Sequence, residues 1–578
     1  MLNVARHIGH VGPIIGEHGH GPPLVEERQP VSDTKTLELL FLLHCSNDDH
    51  EITHSFEMTT STNYHDNPFV DPATSFEENA RGNSFAVDAT LAVGRNASLT
   101  LGTDSLIVLD EQFENTNRST CCGLWPSGTA NTRAIPFYNV LWAEIGDSIL
   151  TIQYASPLSK TVVRPATLSY SFEYQQVELV NKWVYKLLDR SYGESQKKKR
   201  VQALVNPHSG KGSAEKWYYR DAEPLFKAAQ CAVDVVKTKY MGEAVELAGA
   251  VDIDAYDVIA CCSGDGLPHE VFNGLGKRVD AKKALSKLAV VNIPCGSGNA
   301  MSCNLNGTDS ASLATLAIIK GIPTPLDLIS ITQGETRTLS FLSQSVGIVA
   351  ESDLATEHLR WMGSIRFEYG FLTRLFGKTV YPCDIAVKVA IEDKPSIKAH
   401  YKREKTNFEP ASERRGYRHL LDDDASASSG YDDALPPLRY GTVNDKLPEG
   451  WELIPHDKMG NFYCGNMAFM AADANFFSTA LPNDGYMDLI CINGDISRIS
   501  AVKMMLSVDV HSNKLFDNPD VSYRKVLGYR IIPKDQKDGY ISIDGERVPF
   551  QPFQAEVHKG LGTVLSKSGH MYESPGPL

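Results

Sequence analysis

Four short apolar runs, VQALVNP, AVDVVKT, DVIACCSG and KLAVVNIP, lie between residues 201 and 294, and each is followed by a stretch long enough for a helix. Parallel strands cannot be joined by a tight turn, so a chain that alternates strands with helices folds into a parallel sheet with its crossovers on the faces. Ligands of such sheets bind at the carboxyl ends of the strands, where three of the four runs lead into glycine-containing turns.

At 578 residues the chain is too long for one core and is expected to hold two or three domains. Residues 1–82 are rich in His, Asn, Ser, Thr and Asp, with one isolated apolar run, LELLFLLHC, and read as a disordered tail. Residues 83–192 carry short strand-like runs closed by the helical pattern QQVELVNKWVYKLLDR, the arrangement of a small β-rich domain of the pleckstrin-homology type. SQKKKR, residues 195–200, reads as a basic linker. The α/β region spans 199–325. A mostly β region, expected to be a sandwich, follows over 326–570, with a polar, Ser- and Pro-containing disordered insertion at 394–450.

A net charge of -15 argues against sequence-independent nucleic-acid binding, which requires Lys and Arg to neutralise phosphates. The 11 cysteines form no CxxC pair and no zinc-finger spacing, so reduced thiols are expected. No run offers the ~20 apolar residues of a membrane span, and MLNVARHIGHVGPIIGEHGHGPP lacks the apolar centre of a signal peptide. The expectation is a cytoplasmic protein, peripheral where it meets membranes.

The three turns are Asn206-Pro207-His208-Ser209-Gly210-Lys211-Gly212-Ser213, Ser263-Gly264-Asp265-Gly266 and Pro294-Cys295-Gly296-Ser297-Gly298-Asn299. Glycine lets backbone N–H groups approach an anion, and a helix starting beyond the turn adds its positive dipole end. Together the turns point to a phosphate cradle. The first departs from the ordinary P-loop, with Val205 where the leading glycine belongs, and no GxGxxG fingerprint is present. Phosphoryl transfer to an alcohol needs a base for the hydroxyl proton. Asp265 suits that role, or metal placement, or the capping of a helix beginning near Leu267.

In this order, NPHSGKG, SGDGLPHEVFNGL and PCGSGNAM resemble the loops of the diacylglycerol-kinase-type lipid kinase superfamily. GIVAESDLATEHLRWMGSIRF, FYCGNMAFMAADANFF, LPNDGYMDL and ISIDGERVPFQPFQAEV resemble its sphingoid long-chain-base kinase branch, above all the fungal members, over most of residues 199–570. The resemblance implies an α/β nucleotide-binding domain and a β-sandwich lipid domain with ATP between them. It also implies Mg2+-assisted transfer of the γ-phosphoryl group to the primary hydroxyl of a sphingoid base.

By the same resemblance, Asp265 is the general base and Asp353 meets the amino-alcohol head group. Glu357, Ile348 and Phe367 fall at the substrate site, and Arg360 and Arg366 reach the ATP phosphates. Asn206, Gly210, Lys211, Gly212, Thr238, Ser263, Gly264, Gly266, Gly296, Ser297 and Gly298 correspond to nucleotide-loop positions. Asp544, Gly545 and Glu546 return to the nucleotide, with Asp265 and Asp544 the candidates for Mg2+ and Asp484 a further acidic neighbour. Glu243-Ala244 departs from the His-Ala pair usual after the threonine at 238, and Pro268 and His269 are given no role. Ceramide or diacylglycerol kinase activity, or a silent lipid-binding scaffold, are the alternatives. A carboxylate at Asp353 favours a cationic amine over a neutral glyceride. Cys121 and Cys122, beside Leu124 and Trp125, form a candidate S-acylation site for a membrane-surface partner.

Overall fold

A computed structural model describes residues 89–110, 132–355, 370, 379–406 and 433–577, apart from Arg95, Ser297, 506, 509–513 and 535–538. The tail expected at 1–82 and the Cys121-Cys122 pair lie outside the described residues.

The N-terminal region forms two antiparallel meanders. One joins β1 (Thr90–Val93), β2 (Ala97–Leu101), β3 (Ser105–Asp110) and β4 (Thr132–Pro136); the other joins β5 (Val140–Gly146), β6 (Ile149–Ser159) and β7 (Val162–Ser171). Helix α1 (Val177–Tyr192) closes the region, burying Val180, Trp183, Val184, Leu187 and Leu188, the spacing of one helical face.

Four parallel strands follow, β8 (Arg200–Val205), β9 (Ala232–Lys237), β10 (Val258–Ser263) and β11 (Ala289–Pro294), in the order β11-β10-β8-β9. Alternate residues face opposite ways along a strand, and both sides are apolar here. Val201, Ala203, Val205, Ala260, Val291 and Ile293 join the core of the N-terminal region. Leu204, Ile259, Cys261 and Val290 join a second core shared with the C-terminal region. Helices α2 (Glu243–Ala250), α3 (Gly266–Gly276), α4 (Ala281–Lys287), α5 (Ala300–Asn306) and α6 (Ala311–Lys320) complete the α/β domain.

The C-terminal region is β-rich. Beyond β12 (Ile322–Gln333), β13 (Thr336–Ser340), β14 (Ser343–Gly347), helix α7 (Ile348–Ala355), β15 (Cys383–Ile391) and helix α8 (Lys394–Thr406) come β16 (Glu452–His456) and β17 (Met459–Gly465). A small hairpin, β18 (Phe469–Ala471) and β19 (Ala474–Asn475), leads to β20 (Met487–Asn493), β21 (Ser522–Pro533), β22 (Ile541–Ile543), β23 (Glu546–Val548) and β24 (Phe553–Ser566). The hairpin apart, these strands form one 11-stranded sheet that forks at β21, which pairs with β15, β20 and β24.

Two expectations are corrected. The insertion at 394–450 is not disordered at its ends. Residues 394–406 form α8, which buries Ile397, His400 and Tyr401, and 433–450 run as a strap. The strap is held by side chains of the sheet: Glu556 accepts from the Arg439 and Tyr440 amides, while Arg530 donates to the carbonyls of Asp445 and Thr442. Nor is 195–200 a free linker. Ser195 and Lys199 are buried, and Lys199 donates to the Ile319 carbonyl at 2.7 Å, so the segment is packed against the end of α6.

Candidate active site

The three glycine turns end β8, β10 and β11, neighbours in one sheet, and the backbone brings them into contact. A Cβ on Gly296 would stand 2.4 Å from the Gly264 Cα, and one on Gly210, whose φ is +59°, would stand 2.2 Å from the Cys295 carbonyl oxygen. Only glycine fits either position. Ser209 completes the knot: the Gly264 amide donates to its Oγ at 3.2 Å, and the Oγ donates to the Cys295 carbonyl at 3.3 Å. The Gly296 amide donates to Asn299 Oδ1 at 2.8 Å. The Gly264 amide therefore joins two loops, while that of Gly296 braces its own.

Asn206 shapes the first turn, its Oδ1 accepting the His208 amide at 3.0 Å. Lys211 lies in the short helical turn Ser209–Gly212, which also holds Gly210 and Gly212. Thr238 ends β9 with its amide donating to the Val205 carbonyl at 2.9 Å, and Ser263 Oγ donates to the Gly264 carbonyl at 2.6 Å. Ser297, Glu357, Arg360, Arg366 and Phe367 lie outside the described residues.

Asp265 is the last residue before α3, yet its carboxylate makes no capping bond to that helix. It reaches instead to α5, accepting from the Ala300 amide on Oδ2 and the Met301 amide on Oδ1, both at 2.9 Å. Capping is thus real, but of a helix 35 residues away in sequence. Asp265 is partly buried at the loop junction. Its desolvated surroundings push the carboxyl above its usual range; the two amides pull it back in part, and the nearby Asp544 charge adds to the rise.

Three further carboxylates arrive from the C-terminal region. Asp544 and Gly545, with φ of +53° and +87°, form the left-handed turn between β22 and β23. Glu546 follows, exposed, and its Oε1 would lie 3.4 Å from a Cβ on Gly266. Asp353, on α7, has its Oδ2 4.0 Å from the corresponding position on Gly545. Asp265, Glu546 and Asp353 thus line up along one junction between the α/β domain and the C-terminal region.

Asp544 stands apart from them. Its side chain is fully buried and accepts from Ser340 Oγ (2.6 Å), from the amides of Phe341 (3.1 Å), Leu342 and Ser343 (3.0 Å each), and from His269 Nδ1–H (2.8 Å). Both oxygens are committed to the protein, so the expectation of Mg2+ at Asp544 gives way to a structural hub. Asp484 is likewise committed, buried against Lys525 at 2.8 Å and His400 at 3.1 Å. Ile348 packs in the core with Val346, Phe462 and Leu489.

The sequence reading missed His269, Asn273 and Asn304. Asn273 Nδ2 donates to the Leu339 carbonyl at 2.8 Å while its Oδ1 accepts the Leu339 amide at 2.8 Å. Asn304 grips Phe469 in the same two-way fashion, at 2.7 and 2.9 Å. A usable signal existed: His and Asn four apart inside an otherwise apolar helix share a face and need partners. Burial pushes the His269 imidazole down, but the hydrogen bond and charge of Asp544 more than reverse this, so it lies above its ordinary value.

The sheet, its knotted glycine loops and the Asp265 turn define a diacylglycerol-kinase-type catalytic domain, and the family described as the diacylglycerol kinase catalytic domain matches residues 200–331. A domain of unknown function matches residues 89–193. The chain is 37% identical over 435 residues to sphingoid long chain base kinase 5 of Saccharomyces cerevisiae, covering 68% of this chain and 62% of that protein. It is 34% identical over 434 residues to sphingoid long chain base kinase 4 of Schizosaccharomyces pombe, covering 75% of this chain and 88% of that protein. It is 29% identical over 411 residues to sphingosine kinase 2 of Arabidopsis thaliana, covering 67% and 79%. The chain belongs to the sphingoid long-chain-base kinase family.

Proposed function

We propose that the chain is an ATP-dependent lipid kinase that transfers the γ-phosphoryl group to the primary hydroxyl of a sphingoid long-chain base, with Asp265 as the general base. The observation that carries this reading is the placement of Asp265, at the knot of three glycine loops and beside the carboxylates of a second domain. A carboxyl raised above its usual range is a better proton acceptor at neutral pH than an ordinary one, and two amides hold it in one orientation.

The loops containing Asn206, Gly210, Lys211, Gly212, Thr238, Ser263, Gly264, Gly266, Gly296, Ser297 and Gly298 wall the nucleotide site, and Arg360 and Arg366 neutralise phosphate charge. Asp353 pairs with the substrate ammonium, orienting the adjacent hydroxyl toward Asp265; Glu357, Ile348 and Phe367 belong to the lipid side. Asp265 takes the hydroxyl proton as the oxygen attacks the γ-phosphorus and the bond from that phosphorus to the β–γ bridging oxygen breaks, releasing ADP, while Gly545 supplies the left-handed φ of +87° that the turn requires.

No group of three His, Cys, Asp or Glu among the described residues is arranged to hold a metal unaided. Mg2+ takes one or two carboxylates together with nucleotide phosphates and retains waters. The exposed carboxylate of Glu546 is the group that would hold it, and when bound it would screen the charge of the phosphates.

The two meanders and closing helix of the N-terminal region support a pleckstrin-homology-like domain. The domain divisions at 83–192, 199–325 and 326–570 belong to the same reading. No helix among the described residues is long and apolar enough to cross a membrane, and the lipid substrate calls for a peripheral encounter with a cytoplasmic membrane surface, aided by acylation at Cys121 and Cys122.

The test is transfer from labelled ATP to sphingosine, dihydrosphingosine, phytosphingosine, ceramide and diacylglycerol, with Asp353→Asn beside the wild type. Product on the free bases alone, with KM for the base raised in Asp353→Asn, is the expected result. Labelling of ceramide or diacylglycerol in preference would overturn the substrate assignment.

A further inference from the structure

Helix α3 carries more than the turn from which it starts. His269 and Asn273 lie one helical turn apart on its face toward the C-terminal region. The Asn273 amide nitrogen donates to the His269 carbonyl at 2.9 Å and lies 3.3 Å from His269 Nε2, while the rest of its polar capacity clamps Leu339. Asn273 thus packs against the imidazole edge, and the ring's Nδ1 meets Asp544 Oδ2 at 2.8 Å. Asp544 gathers the amides of 341–343, and its own amide donates back to the Ser343 carbonyl at 2.8 Å. Among the described residues, the hydrogen bond from His269 is the one that reaches the Asp544 carboxylate from the α/β domain, and Glu546 is two residues further along the same turn.

We propose that His269, packed against Asn273, is a positioning residue for the transfer reaction: through Asp544 it fixes the β22–β23 turn over the start of α3, so that Glu546 faces Gly266 and the nucleotide site. The proposal rests on the reading of that site as the place of ATP. His269 touches neither substrate nor nucleotide; it acts through Glu546.

This route predicts a pattern that general destabilisation does not produce. In the full chain, His269→Phe raises KM for ATP about tenfold and leaves KM for the sphingoid base within about twofold. His269→Asn, whose amide nitrogen occupies the place of Nδ1, restores KM for ATP to within about threefold. In a Glu546→Gln background, His269→Phe adds less than about twofold, because the residue it positions is already disabled. Losses that multiply in the double variant, or failure of asparagine to rescue, overturn the proposal.

Hydrogen exchange separates this from the function itself. Should the wild type transfer no phosphate to any lipid, the reading of function fails, and the positioning is judged on amides 541–548. Faster exchange there in His269→Phe and protection retained in His269→Asn support it, and exchange unchanged in both overturns it.

Discussion

The parallel sheet is flanked by two junctions that combine apolar packing and hydrogen bonds in different ways. Toward the N-terminal region the contact is one continuous apolar cluster that runs from Leu141 and Leu150 through Val205 to Leu316 and Ile319. Buried Asp221 pairs with Arg164 of β7 across it at 2.5 Å, Ser312 Oγ accepts the Val163 amide at 3.1 Å, and the buried lysines are held by carbonyls. Lys199 donates to carbonyls of Gln196 and Ile319, and Lys320 donates to those of Val140 and Ser191 and lies 3.6 Å from the Tyr192 ring centre. Toward the C-terminal region an apolar cluster is also present, but the strands and loops are joined by side chains gripping backbone: Asn273 on Leu339, Asn304 on Phe469, and Asp544 on 341–343. Apolar contacts tolerate sliding, whereas paired hydrogen bonds fix atoms to fractions of an ångström. Both junctions carry such bonds, but at the C-terminal one they come as two-way pairs, on Leu339 and on Phe469.

The comparison breaks most readily at Asp544. Asp544→Ala leaves Ser340 Oγ and three buried amides without their acceptor, and is expected to cost about 3–5 kcal/mol and abolish transfer, read by denaturant unfolding beside an activity assay. Ile319→Ala strikes the other junction. A loss of about 2–5 kcal/mol is expected, with kcat and both KM values of the folded protein unchanged. A fall in kcat would show that this junction also places reacting groups.

Lys199 offers a test by pH. Burial pulls its amine down to about 8. Between that value and the unfolded one near 10.4, the unfolded chain binds the extra proton, so the lysine's penalty is full below pH 8 and fades as pH rises. Relative to Lys199→Met, the wild type should gain up to about 3 kcal/mol between pH 7 and 10.5, measured by parallel unfolding curves. A constant difference would place the amine in water. The smallest effect is expected of Asn304→Ala, about 1–3 kcal/mol, with transfer reduced only in proportion to the loosened α5.

The strands and glycine turns were legible because their determinants are local: an apolar run, then glycine where a Cβ would strike a neighbouring loop. The Asp265 turn was legible on the same grounds, though the helix that it caps was not, since nothing in GDGLP points to Ala300. The hub at Asp544 joins segments some 200 residues apart, and no local pattern reports it. Helix α8 was hidden by composition: KPSIKAHYKREKT is highly charged, and only Ile397, His400 and Tyr401 mark its buried face. The strap at 433–450 is held through its own backbone groups, to which side-chain composition is blind. SQKKKR read as a linker because an unpaired lysine is seldom buried; Lys199 is accommodated by carbonyls at the end of α6.

We propose that the chemistry resides at the junction of the α/β domain with the C-terminal region, with Asp265 as its base. It is tested most directly by Asp265→Asn, followed by ATP binding, melting temperature and transfer to a sphingoid base in one preparation. The account predicts a fall in kcat of at least about a hundredfold, with ATP affinity within about threefold of wild type and the fold intact. A variant that binds ATP and transfers phosphate at nearly the wild-type rate would contradict it.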